Sequence, residues 1–166
     1  MKYRWSHRHL LLAAAVSSLT LCGAALADST ANLTVTASVV PSCTVSATTL
    51  AFGPLNPSAN NDQTAAIQWQ CTKDFSTVIK LGAGGSGTIA ARSMGGAAAL
   101  PYQLYTDATH STIFGDGTTG SAAPVTGVGY SGPPGNVTVY GRVLQANAAV
   151  APAGSYTDTV QITIVF

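Results

Sequence analysis

From residue 28 onward, apolar side chains recur at every second position rather than every third or fourth, and this pattern dictates strands instead of helices. Leu33, Val35, Ala37 and Val39 alternate with Thr34, Thr36 and Ser38. Ile67, Trp69 and Cys71 alternate with Gln68 and Gln70, and Val160, Ile162, Ile164 and Phe166 repeat the pattern at the end. The pattern predicts strands over 33–39, 43–52, 65–71, 75–81, 102–106, 137–144 and 156–166. Glycine-, alanine- and proline-rich stretches at 82–87, 95–99, 115–120 and 127–135 separate them and read as turns and long surface loops. The implied fold is all-β: a single antiparallel sandwich of immunoglobulin-like type, in which Trp69 lies on the core face beside Cys71.

Residues 1–27 do not belong to that pattern. Lys2, Arg4 and Arg8 precede an apolar run from Leu10 to Leu21, and Ala25-Leu26-Ala27 offers small residues for cleavage, so the segment reads as an export signal. The run is short and interrupted by Ser17, Ser18 and Thr20, against the roughly 20 apolar residues of a membrane span. Cys22 follows Leu21, where a lipid-anchored leader needs a small side chain. With the leader removed, four basic side chains remain against six Asp and no Glu, a net charge of −2 rather than +1. The basic excess belongs to the leader, so no nucleic-acid or other anionic partner follows from it. Cys43 and Cys71 remain as an even pair in an exported chain, which reads as a disulfide.

Little in the sequence is suited to catalysis, cofactors or metals. His110 is the lone histidine after the leader and reads as a surface-loop residue. Gly82 to Gly87 matches G-x-G-x-x-G, but Gly95-Gly96 follows too soon for the helix that a dinucleotide site requires. Asp107 and Gly115-Asp116-Gly117 lack the spacing and the bidentate Glu of a calcium loop and read as turns. No G-x-S-x-G elbow occurs, and Asn32 and Asn136 fit a glycosylation pattern that a bacterial exporter leaves unused. The expectation is a non-enzymatic protein without cofactor.

The two ends admit two readings. In one, 33–39 is the first strand of a complete sandwich, giving a stand-alone secreted binding module, for example for carbohydrate. In the other, the body lacks a strand and 28–40 fills a neighbour's groove. Val40-Pro41-Ser42 lacks the Asn-Gly or Asp-Gly of a tight hairpin, which does not encourage folding back. Docking Leu33, Val35 and Val39 into another subunit supplies about 4.5–9 kcal/mol before entropy loss, at about 1.5–3 kcal/mol each.

A wider resemblance favours the second reading. The runs Leu33 to Val39, Ser42-Cys43-Thr44-Val45 and Leu50-Ala51-Phe52-Gly53 resemble the start of a spore coat protein U domain. Leu100 to Asp107, Phe114 to Gly117, Val139 to Val143 and Gly154 to Phe166 continue the likeness over nearly all of 33–166. That family includes the subunits of archaic chaperone–usher pili. The resemblance implies an incomplete immunoglobulin-like domain over 41–166, completed by donor-strand exchange. It also implies a periplasmic chaperone, an outer-membrane usher and neighbouring subunits as partners, and a final location on the cell surface. Leu33, Val35, Ala37 and Val39 would be donor side chains, and Val160, Ile162, Ile164 and Phe166 the acceptor and chaperone edge. A shaft or minor structural subunit fits better than a tip adhesin, which usually carries a second domain.

Overall fold

The computed structural model describes residues 28–72, 76–129 and 132–165. The expected export signal and Phe166 lie outside the described residues. The chain divides into two units, residues 1–36 and 37–166; the described residues 28–36 of the first carry no regular secondary structure, and Leu33 and Val35 are 88% and 82% exposed. Residues 37–166 form the second unit, whose strands begin at Cys43.

Among the described residues nine strands follow in chain order: β1 (Cys43–Ala47), β2 (Asn61–Cys71), β3 (Ser76–Leu81), β4 (Ser93–Met94), β5 (Leu100–Pro101), β6 (Gln103–Tyr105), β7 (Ala123–Thr126), β8 (Gly135–Val143) and β9 (Ile162–Val165). A short α-helix, α1 (Gln145–Val150), and two 3-10 turns interrupt them. All ladders are antiparallel. One sheet has the order β1-β2-β8-β6, the other β7-β3-β9, and β4 and β5 form a small ribbon.

The expected alternation builds the core. Ile67, Trp69 and Cys71 of β2, with Val139 and Val143 of β8, turn one sheet's apolar face inward; Ile79, Leu81, Ala123 and Val125 do so for the other. Trp69 ties the sheets together by donating its Nε1–H to the Thr126 carbonyl, 3.0 Å away. Its ring lies so close to Gly135 that a Cβ there would fall 2.2 Å from Cε2, which accounts for the glycine. Cys43 and Cys71 face each other across β1 and β2 and form the disulfide. The fold is an all-β, immunoglobulin-like sandwich, as the alternation implies.

Several elements depart from the sequence reading. β1 ends at Ala47 rather than Phe52, because Leu50 and Phe52 leave the sheet edge and pack against the β8 backbone at Gly141. A Cβ at Gly141 would lie 2.8 Å from Leu50 Cδ1 and 3.1 Å from Phe52 Cζ. The last strand starts only at Ile162, since the preceding residues are committed to other partners: Thr157 exchanges two backbone hydrogen bonds with Gly95, each 2.9 Å. β7 and α1 carry no alternation long enough to have been read.

Candidate functional site

β1 and β9 are edge strands of different sheets that approach each other, and beyond their approach the sandwich stays open between residues 47–55 and 151–162. In the antiparallel register Val45 opposes Trp69 and Ala47 opposes Ile67, so both should point inward. Trp69 and Ile67 are buried, yet Val45 is 40% exposed and Ala47 is also exposed. The inner face of β1 therefore lacks cover. On the other side β9 pairs with β3 alone among the described residues, leaving its outer row of backbone N–H and C=O groups without a strand partner.

An apolar groove of about 1010 Å³ runs along this seam. Residues 47–55 form one wall and residues 151–162 the other. Its floor is the core itself, including Ile67, Leu104 and Val139. Val160 and Ile162 line the groove, both half-buried. Ile164 is half-buried against the same core but is not a lining residue, and Phe166 lies outside the described residues. Val165, on the opposite face of β9, is 44% exposed. Of the four donor side chains expected from the sequence, Leu33, Val35, Ala37 and Val39, all are exposed and none belongs to a strand.

Polar groups fix the 151–162 wall. Asp158 accepts a hydrogen bond from the Tyr102 hydroxyl at 2.6 Å and from the Gly85 N–H at 2.7 Å. Burial raises the Tyr102 phenol pKa, and donation to the Asp158 carboxylate raises it further. Tyr156 donates its hydroxyl to the Pro152 carbonyl at 2.5 Å, the backward bond of a tyrosine corner. Beneath the wall sits Arg92, 1% exposed and missed by the sequence reading. Its guanidinium donates to the carbonyls of Gly82 (2.7 and 2.9 Å) and Phe114 (2.9 Å) and to Gln103 Oε1 (2.6 Å). Burial lowers its pKa. No sequence signal separated Arg92 from an exposed loop arginine.

The other motifs resolve as local structure. Residues 82–87 form a loop with one 3-10 turn and no helix, as expected. Asp107 caps its own turn by accepting from the N–H groups of Ser111 (3.1 Å) and Thr112 (2.8 Å). Asp116 does the same with Thr118 (2.9 Å) and Thr119 (2.6 Å). His110 differs from the expected surface residue. Its side chain is 7% exposed and stands edge-on to Tyr105 and Tyr140, with ring centroids 5.1 and 6.3 Å apart. Tyr105 and Tyr140 are register partners on β6 and β8, which sets both rings against the imidazole.

The fold defines a class: an all-β, antiparallel sandwich with an open apolar groove along one seam. Residues 29–163 match the Spore Coat Protein U domain, and the chain belongs to that family. It is 35% identical over 173 residues to Protein U of Myxococcus xanthus, an alignment covering 92% of this chain and 93% of that one. Among solved structures it resembles, with a TM-score of 0.51 and 21% identity, a chain of the CsuC-CsuE chaperone-tip adhesion subunit pre-assembly complex from the archaic chaperone-usher Csu pili of Acinetobacter baumannii. That likeness covers 77% of this chain and 40% of the other, so the present chain spans two fifths of its structural relative, and it bears on the fold.

Proposed function

We propose that the protein is an exported structural subunit of a surface fibre of the pilus type, and that its groove is completed by an extended strand from another polypeptide. During export the strand comes from a periplasmic chaperone. In the fibre it is the 28–40 segment of the next subunit, exchanged at an outer-membrane usher. The observation that carries this reading is the open apolar groove between residues 47–55 and 151–162, lined by Val160 and Ile162 and flanked by the one-sided edge of β9. An added strand brings backbone hydrogen bonds to the β9 edge and side chains to the floor, which is recognition by β-augmentation. The segment assigned as donor supports it as well: Leu33, Val35 and Val39 present the matching period of two and are 88%, 82% and 84% exposed. Membership of the Spore Coat Protein U family and the fold shared with a chaperone-bound pilus subunit agree with this role.

Strand-exchanged polymers survive denaturant in the cold and fall apart on boiling. The full chain is therefore expected to give a ladder on unheated denaturing gels that collapses to one band after heating. Deleting residues 28–40 should abolish the ladder while leaving a chain that still caps wild-type fibres. A ladder from the deletion variant, or a wild-type chain that runs only as a monomer, would refute the assignment.

A further inference from the structure

Between the Gly95–Thr157 bridge and the β3–β9 ladder, which opens at Leu81 opposite Ile162, the groove wall crosses residues 158–160. These three residues carry Val160 into the groove, and in this stretch Asp158 supplies the side-chain anchor. Its Oδ2 accepts from the Tyr102 hydroxyl at 2.6 Å. Its Oδ1 accepts from the Gly85 N–H at 2.7 Å and from the Thr159 N–H at 2.8 Å, closing a turn on itself. Tyr102 is 8% exposed and also lines the groove, so one hydroxyl ties floor to wall. The approach on the far side is too close for any side chain. Gly84 has φ +67°, and a Cβ there would lie 2.1 Å from Asp158 Oδ2. Glycines 84 and 85 of the G-x-G-x-x-G run thus form a seat for a carboxylate of the same chain.

We propose that Asp158, itself on the groove wall, is a positioning residue for strand uptake: it holds residues 158–160 in the register that aims Val160 at the incoming strand. The proposal rests on the strand-acceptor reading above. A carboxylate suits the task because it accepts three bonds at once, two from the backbone and one from a buried phenol, and charge-assisted bonds of this kind are the stronger ones. An amide can keep only one oxygen acceptor, so it should hold the wall less firmly.

The test uses the full chain and a fluorescein-labelled synthetic peptide with the sequence of residues 28–40, followed by anisotropy well below the melting temperature. For Asp158→Ala we expect affinity for the peptide to fall about tenfold or more, the equivalent of one hydrogen bond to a charged group. Asp158→Asn should recover part of the loss. Tyr102→Phe, which removes one hydroxyl and leaves the ring in place, should weaken uptake in the same direction and serves if Asp158→Ala does not fold. A merely stabilising role would lower the melting temperature of these variants and leave peptide affinity at 25 °C unchanged. Wild-type affinity in folded Asp158→Ala or Tyr102→Phe would overturn the proposal while leaving the groove's role standing. Failure of the wild-type chain to take up the peptide would overturn the strand-acceptor reading and this proposal with it.

Discussion

Replacing Arg92 with methionine sets two physical rules against each other. Exchanging a buried charge for an apolar side chain of similar length relieves several kcal/mol of desolvation, and in some proteins this raises stability. Here, however, the partners of the charge are carbonyl groups that stay behind. Arg92 is 1% exposed and donates to Gly82 O at 2.7 and 2.9 Å and to Phe114 O at 2.9 Å. Gln103 Oε1 also loses its 2.6 Å bond to Arg92 but keeps the Leu104 N–H at 2.9 Å. Gly82 O and Phe114 O are therefore stranded, at about 1–3 kcal/mol each, and Leu81 O loses a longer bond of 3.4 Å; the sum of about 2–6 kcal/mol for the first two outweighs the partial relief of desolvation. We expect a net loss of about 3 kcal/mol, or a drop in melting temperature of about 10 °C for a domain of this size. Urea unfolding followed by Trp69 fluorescence, with the disulfide kept oxidised, measures it: the midpoint should fall and the slope should not change. Arg92→Lys keeps the charge but not the planar fork and should lose roughly half as much. An Arg92→Met protein as stable as wild type, or more so, would refute the reasoning and show that desolvation dominates.

Two further outcomes follow from the same structure. Replacing Cys43 and Cys71 together with Ser removes a link of sequence separation 28 across β1 and β2. The chain-entropy model puts the loss near 3.6 kcal/mol, read as a lower urea midpoint and reduced periplasmic yield; unchanged stability would show the link to be dispensable. The second concerns acid. The bond from Arg142 holds the Asp62 carboxyl below its usual 3.8, and turn N–H groups and hydroxyls lower Asp107 and bring Asp116 to about 2. Folded values below unfolded ones mean that this stabilisation is present above the unfolded value and is lost as pH falls through the folded ones. The urea midpoint should thus be level down to about pH 4 and fall between about pH 4 and 2; a midpoint that rises on acidification there would contradict the assignment.

Much of the fold could be read directly from alternation. Ile67, Trp69 and Cys71 fall on one buried face because a strand leaves them no other choice once one of them enters the core. The alternation of Val160 and Ile162 was legible in the same way, whereas the pairing of Cys43 with Cys71 was legible from an even cysteine pair in a chain read as exported. What stayed hidden depends on contacts distant in sequence. Leu50 and Phe52 alternate with each other but fall out of phase with Cys43, Val45 and Ala47 of β1, and they pack on the bare backbone of Gly141 instead. Asp158 looks like any loop carboxylate until Gly85 and Tyr102, separated from it by 73 and 56 positions, are brought against it. His110 was read as a surface-loop residue and Arg92 drew no reading, because a polar side chain's burial depends on distant partners, here the rings of Tyr105 and Tyr140 and the carbonyls of Gly82 and Phe114.

Whether the open seam is closed by another molecule can be measured by cysteine trapping. One full-length variant carries Val35→Cys, a second carries Ile162→Cys, and the two are mixed under mild oxidation. A covalent dimer that forms in the mixture, and that the Leu33-to-Val39 peptide suppresses, is the predicted result. If instead a chain carrying both substitutions closes the same bond within itself at high dilution, while the mixture yields no dimer, the sandwich completes its own seam and the account is wrong.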